Sequence, residues 1–91
     1  MPKLTVTQIK SALGAVPDWQ KTGATIARTF AFKDFPAAIR FVNAVAKLAE
    51  KAGHHPDIDI RWNKVALTLS THSDGGLTEK DFKLARQVDQ L

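Results

Sequence analysis

Residues 53–72 read GHHPDIDIRWNKVALTLSTH, and this stretch carries the clearest structural pattern of the chain. Apolar and polar residues alternate from Ile58 to Trp62 and again from Val65 to Ser70, with Asn63-Lys64 between the two runs. Alternation with a period of two residues is typical of a half-buried β-strand, and two such runs around a short polar break indicate a hairpin. We therefore predict a β-hairpin that begins just after Pro56.

The other elements are predicted from apolar periodicity and from capping residues on either side of this hairpin. The longest helix is predicted over Phe35–Ala52, with Asp34 as its N-cap and Gly53 closing it. The remaining elements are a helix from a Thr7 cap to about Ala15, strands at residues 19–21 and 25–32 around Gly23, and a last helix opened by Thr78 with Asp81 three positions later. The order αββαββα predicts an α+β fold, in which a four-stranded antiparallel sheet has three helices packed on one face. With 91 residues, the chain is expected to form one domain, residues 1–91.

The apolar residues of the predicted long helix form two adjoining stripes, one starting at Phe35 and the other at Ala38. Together the stripes are wider than one sheet face requires. Two interpretations stay open. Either part of this face meets another helix or another subunit, or the whole face is buried within its own domain.

Composition limits the classes of function. The chain has no cysteine, which excludes disulfides, thiolate nucleophiles and Cys-ligated zinc. Its formal net charge of +4 is spread along the sequence, so we attribute the charge to solubility and expect no direct nucleic-acid binding. No apolar run resembles a signal peptide or is long enough to span a bilayer, so we expect a soluble cytoplasmic protein without membrane contact.

The chain has three histidines, His54, His55 and His72. The unperturbed pKa of histidine, about 6.5, suits it to proton transfer near neutral pH. Pro56 favours an extended backbone at His55, so the two adjacent side chains are expected to point to opposite sides and to do different jobs. Pairing of the hairpin strands would bring Pro56 beside His72, and three imidazoles would then line one pocket. Glu50, one helical turn before His54, is placed to hold an imidazole N–H.

Three interpretations of this cluster compete. Three histidines can bind zinc, but the usual helical spacing of two histidine ligands is missing here. Histidines can also simply fill surface loops. The interpretation that we favour is metal-free general acid–base catalysis, which typically contributes about 10²–10⁴-fold to a rate. A nucleophilic triad fits poorly, because no Gly-x-Ser-x-Gly turn activates Ser70, Thr71 or Ser73, and Gly75-Gly76 lacks the pattern of a phosphate loop.

These residues and their spacing resemble a known family. Glu50-x-x-x-His54-His55-Pro56, an aromatic residue at Trp62, then His72 and Asp81, look like the signature of the pterin-4a-carbinolamine dehydratases. Further segments that resemble the family are Asn63-Lys64-Val65, Leu69-Ser70-Thr71-His72 and Gly76-Leu77-Thr78-Glu79-Lys80-Asp81. The likeness covers nearly the whole chain. One departure is Ile58, where many members carry tryptophan.

The resemblance implies a metal-free and cofactor-free dehydration of 4a-hydroxytetrahydropterin to quinonoid dihydropterin, which recycles the tetrahydrobiopterin spent by aromatic amino acid hydroxylases. It implies His54, His55 and His72 as catalytic residues. The implied pterin pocket is carried over onto His54, His55, Pro56, Thr71, His72, Ser73 and Asp74. Glu50 and Asp81 are supporting positions of the motif, although for Asp81 we favour the role of cap partner to Thr78.

The resemblance also implies an oligomer, either a homodimer or a homotetramer. Members pair sheets edge to edge and helices across a second interface, and one animal member is a dimerisation partner of a transcription factor. This gives a second hypothesis, a protein-interaction module that acts as a dimerisation partner or transcriptional coactivator. The two hypotheses differ in their need for the histidines, since a binding module would not depend on them.

Overall fold

The computed structural model describes residues 2–91 and confirms the predicted α+β fold. Its elements in chain order are α1 (Val6–Leu13), β1 (Gln20–Thr22), β2 (Thr25–Ala31), α2 (Phe35–Ala52), β3 (Asp57–Arg61), β4 (Lys64–Leu69), a short 3-10 helix (His72–Asp74) and α3 (Glu79–Asp89). The strands form one antiparallel sheet in the order β1-β2-β4-β3. No helix in residues 2–91 is long and apolar enough to cross a membrane.

The central strand β4 shows why the alternating sequence folds in this way. Val65, Leu67 and Leu69 are fully buried on the face that the helices cover, whereas the residues between them are half-buried. In the neighbouring strand β2, Phe30 pairs with Val65 and Ile26 pairs with Leu69, so the apolar rows of the two strands coincide. The core lies between these apolar rows and the helices α2 and α3. The register of β2 against β4 is favoured because it places both apolar rows on the buried face.

The long helix α2 has the predicted bounds. Asp34 accepts a hydrogen bond from the Ala37 amide at 2.9 Å, as an N-cap does. Gly53 adopts a left-handed backbone with φ 62°, and the helix ends there because glycine tolerates that conformation best. Part of its wide apolar face packs against α3 of the same domain, while Phe35 remains 45% exposed. Burial of this face by a second subunit stays a prediction.

The first helix and the first strand were predicted one or two residues away from their observed positions. Thr5, not Thr7, caps α1, because Thr5 and Gln8 satisfy each other's backbone amides in a capping box. The helix ends at Leu13 rather than at Ala15. The strand β1 starts at Gln20, so Trp19 precedes it. The Trp19 side chain is buried in the core of the domain.

The turn of the second hairpin was also predicted one residue too late. Its two turn residues are Trp62 and Asn63, because Arg61 already pairs with Lys64. Asn63 fixes the turn to the end of β2. Its side-chain amide donates to the Phe32 carbonyl at 2.8 Å, and its own carbonyl accepts from the Phe32 amide at 2.9 Å.

A polar cluster ties the end of α3 to the sheet. Asp89 accepts hydrogen bonds from the Arg28 guanidinium at 2.8 Å and from the Trp19 indole at 2.9 Å. The Arg28 guanidinium also lies 4.3 Å from the centre of the Phe30 ring. A charged residue is therefore tolerated on the apolar face of β2, because its head group is paired and its stem packs on an aromatic ring.

Candidate active site

The end of α2 positions His54. The Gly53 amide donates to the Glu50 carbonyl at 3.3 Å and the His54 amide donates to the Ala49 carbonyl at 3.1 Å, which together form a Schellman motif. This motif fixes the backbone from which the His54 side chain projects. The side chain is only 11% exposed, and its Nε2 lies 2.6 Å from Oδ1 of Asp81 in α3. His54 is thus held from two sides, by a helix end and by a carboxylate.

The Asp81 carboxylate is the group to which several side chains and one backbone amide of the site bind. It is fully buried, and its second oxygen, Oδ2, accepts from the Thr78 amide at 3.0 Å and from the Thr71 hydroxyl at 2.8 Å. The Thr71 and Thr78 hydroxyls are themselves 3.0 Å apart. The capping role expected for Asp81 is therefore present, and the same carboxylate also binds His54. We did not anticipate this double use, because a capping box explains an acid at this position by itself.

The contact with Asp81 bears on the tautomer of His54. When a carboxylate is ionised it only accepts hydrogen bonds, so with an ionised Asp81 the hydrogen of the imidazole lies on Nε2. In the neutral ring, Nδ1 then holds the lone pair. Within residues 2–91 no hydrogen bond occupies this Nδ1, so it is available to exchange a proton with a bound molecule.

His55 is held by the other predicted carboxylate, but in a different environment. Its Nε2 contacts Oε2 of Glu50, and both side chains are largely exposed. Glu50 therefore contacts an imidazole, and the imidazole is that of His55. Each of the two adjacent histidines thus has a carboxylate partner, which is buried for His54 and exposed for His55. That the two histidines do different jobs stays a prediction.

The loop that follows β4 brings the third histidine to the same end of the sheet. The start of β3 lies opposite the end of β4, since Asp57 pairs with Thr68, which agrees with the predicted hairpin. The chain then closes a small loop in which Thr71 bridges Gly76. Because the Thr71 hydroxyl binds Asp81, this loop is joined to the carboxylate that holds His54.

The residues of this loop differ in what they offer to a ligand. The Thr71 side chain is buried, its hydroxyl is used within the protein, and its amide and carbonyl are bonded to the loop itself. His72 and Ser73 are exposed, Asp74 is half-buried, and Pro56 is half-buried at the start of the hairpin. The sequence did not reveal that the Thr71 hydroxyl binds Asp81, since Thr71 belongs to no capping pattern with that residue.

A groove opens between α2 and α3, with a volume of ≈ 320 Å³. His54 forms part of its wall. The other residues that line it are Leu48, Lys51, Ala52, Glu79, Lys80, Lys83, Leu84 and Gln87. Its size lies at the lower end of the range for small-molecule sites. Within residues 2–91, no group of three or more His, Cys, Asp and Glu side chains is arranged so that it could hold a metal ion.

Comparison with known proteins gives a consistent result. The family model for pterin 4 alpha carbinolamine dehydratase matches residues 2–91. A protein of Nocardia farcinica named "Putative pterin-4-alpha-carbinolamine dehydratase" is 58% identical over 88 residues, covering 97% of this chain and 93% of its own length. A protein of the same name from Chloroflexus aurantiacus is 56% identical over 91 residues, with 100% and 98% covered.

Solved structures agree with the sequence relatives. A transcriptional coactivator/pterin dehydratase from Brucella melitensis superimposes with a TM-score of 0.92 at 42% identity, covering 97% of this chain and 96% of that chain. A pterin dehydratase-like protein, described as a RuBisCO assembly factor in the alpha-carboxysome, superimposes with a TM-score of 0.66 at 29% identity over 79% of this chain and 83% of its own. Proteins with this fold are thus described both as a pterin dehydratase and as an assembly factor.

Proposed function

The chain belongs to the pterin 4 alpha carbinolamine dehydratase family, and we propose that it is a hydro-lyase that dehydrates 4a-hydroxytetrahydropterins by histidine acid–base catalysis. The observation that carries the mechanism is the His54–Asp81 pair, a nearly buried imidazole fixed by a fully buried carboxylate. We place the reaction in tetrahydrobiopterin recycling, where the product is the quinonoid dihydropterin.

The reaction needs two proton movements and no electron acceptor. The bond from C4a to the hydroxyl oxygen breaks, a proton is delivered to that oxygen, and water leaves. Electrons from a ring nitrogen replace the lost bond, so a proton must be removed from a ring N–H. A base and an acid near neutral pH supply both steps, and no metal or organic cofactor takes part in this scheme.

We assign the base to His54 and the acid to His55. A neutral His54 presents the Nδ1 lone pair, and the Asp81 carboxylate stabilises the imidazolium that forms when Nδ1 takes the ring proton. His55 lies in solvent beside Glu50, so it can be reprotonated from water after it gives its proton to the leaving hydroxyl. His72 assists or binds the ring.

We propose that Pro56 and the loop of His72, Ser73 and Asp74 hold the pterin. The pyrimidine edge of a pterin alternates donors and acceptors, and the backbone of a loop offers matching groups. Thr71 belongs to this segment, and its buried hydroxyl supports a positioning role through Asp81 rather than a direct side-chain contact.

A spectrophotometric assay tests the function directly. We expect the protein to accelerate the breakdown of 4a-hydroxytetrahydropterin, and we expect the same rate in the presence of a chelator. No acceleration over the spontaneous reaction would contradict the dehydratase proposal. A rate that chelation abolishes and zinc restores would replace the acid–base mechanism with metal-assisted chemistry.

We further propose that the chain forms at least a homodimer through β3. This strand is the edge of the sheet, with one side unpaired, and Ile58, Ile60 and Trp62 next to it are 38%, 38% and 65% exposed. An apolar strip beside an open edge favours pairing with a second strand.

The proposed interface can be tested by the mass of the native protein and of a variant in solution. We expect the native protein to sediment as a multiple of its 10.0 kDa chain, and we expect Ile60→Lys to move it toward the monomer, because a charge on the apolar strip opposes pairing. Thr22→Lys is the matched control, since it adds the same charge to the opposite sheet edge. A native monomer, or an unchanged mass for Ile60→Lys, would contradict this interface.

The second candidate function is a protein-interaction module. The exposed edge and apolar strip of β3 favour it, and the two structural relatives described as a coactivator and as an assembly factor support it. Such a module would keep its partner binding when the histidines are replaced. The enzyme would not keep its rate, so the same variants separate the two functions.

A further inference from the structure

The groove between α2 and α3 carries uncompensated positive charge. Lys51 lies in the last turn of α2, and Lys80 and Lys83 lie in the first turns of α3 on the opposite wall. Within residues 2–91, none of the three ammonium groups forms an ion pair or a hydrogen bond. The acid of the groove, Glu79, is already paired with Arg86 at 2.9 Å. The groove therefore offers three free cations and one neutralised acid.

The floor of the groove is apolar and its size suits a small ligand. Leu84 is buried, Leu48 is half-buried, and Ala52 completes the surface beneath the lysines. A volume of ≈ 320 Å³ accommodates a substituent of a small molecule, whereas the helix of a partner protein needs a longer surface. Charge and size together favour a short aliphatic chain that ends in an anion.

His54 connects this groove to the proposed reaction. It is both the proposed base and part of the groove wall. A pterin whose pyrimidine edge is held by the loop of His72 and Ser73 carries its C6 substituent at the far end of the ring, away from that loop. A substituent leaving the ring beside His54 meets the groove.

We infer that the groove binds the C6 side chain of the substrate and selects pterins whose side chain carries a phosphate or another anion. The inference rests on the proposed dehydratase function and extends its substrates from the neutral side chain of tetrahydrobiopterin to anionic side chains, which the groove prefers. The lysines act as specificity-determining residues. They recognise the side chain and take no part in the proton transfers.

A matched pair of substrates tests this selection. The pair consists of a 4a-hydroxytetrahydropterin with a neutral 6-hydroxyalkyl side chain and its phosphate monoester, each assayed for kcat/KM at low and high salt. We expect the monoester to be preferred about ten-fold at low salt, since each exposed charge pair contributes only modestly and the three are not fully additive. The preference should shrink as salt is raised, because exposed charges are screened.

The variant K51Q/K80Q/K83Q should reduce the ratio of the two kcat/KM values to about one. Its control is K10Q/K21Q/K33Q, which removes the same charge from exposed lysines that do not line the groove and should keep the native ratio. Circular dichroism verifies that both variants are folded.

Two results would overturn the selection while leaving the proposed function intact. One is a native enzyme that dehydrates both substrates equally well. The other is a preference for the monoester that the groove variant retains. If an acidic peptide competes for the groove and the monoester shows no preference, the surface serves a protein partner and the inference fails. A protein inactive on both substrates would contradict the dehydratase function as well.

Discussion

Replacing His54 by glutamine is expected to lower kcat/KM for a 4a-hydroxytetrahydropterin about 10²–10⁴-fold, the usual contribution of one acid–base residue. Glutamine keeps a side chain that can donate to Asp81 but has no nitrogen lone pair to take a proton. The loss should appear in kcat more than in KM, because the proposed role of His54 is in the chemical step. Initial rates at several pH values, corrected for the spontaneous reaction, measure it.

The other two histidines provide the comparison. We expect His55→Gln to cause a loss of similar order, because it supplies the second proton transfer. His72→Gln should cost less and should act mainly on KM, since its proposed role is assistance or binding. If His54→Ala, His55→Ala and His72→Ala each kept a near-native rate, the acid–base mechanism would be wrong and the interaction module would be the better candidate.

Replacing Asp81 by alanine is expected to lower the free energy of unfolding by about 3 kcal/mol and to abolish most of the activity. The substitution leaves the buried Thr78 amide without an acceptor, and it leaves the Thr71 hydroxyl with the Thr78 hydroxyl as its remaining partner. An unsatisfied buried group costs about 1–3 kcal/mol, and the loss of the contact with His54 adds to this. A change of this size is a large share of the roughly 5–15 kcal/mol that stabilise a typical domain. Urea denaturation followed by circular dichroism measures it.

Asp81→Asn separates stability from catalysis. Asparagine retains a carbonyl oxygen for hydrogen bonding but cannot stabilise an imidazolium by charge, so kcat should fall more than the loss of stability explains. Glu79→Gln is the control on the same helix. It breaks only the exposed pair with Arg86, which is worth about 0–1 kcal/mol. An Asp81→Asn variant with native kcat would show that Asp81 is a structural cap and that His54 needs no charged partner.

The sequence predicted most of the fold because the decisive signals are local. The alternation in residues 58–70 places Val65, Leu67 and Leu69 on one face whatever lies next to them. Asp34 and Gly53 bound α2 through backbone groups within one helical turn, and the structure keeps both bounds. Errors occurred where two neighbouring residues were equally suitable locally, as with Thr5 and Thr7 at the start of α1.

The candidate residues were also readable from the sequence, but their pairing was not. His54, His55, His72, Glu50 and Asp81 are chemically distinctive and spaced as the family has them. Glu50 reaches His55 from the adjacent helical turn, a short-range contact. Asp81 is 27 residues away from His54, so their contact depends on how α3 packs against α2.

Local sequence patterns are enough to predict the order of elements, the buried face of the central strand, the bounds of the long helix and the residues able to move protons. These properties depend on periodicity and capping, which act over a few residues. The packing of the helices on the sheet is needed to see that a buried Asp81 holds His54, that Thr71 also binds that carboxylate, and that three lysines face one groove. Such contacts join distant parts of the chain, and their geometry exists only after the helices have packed on the sheet.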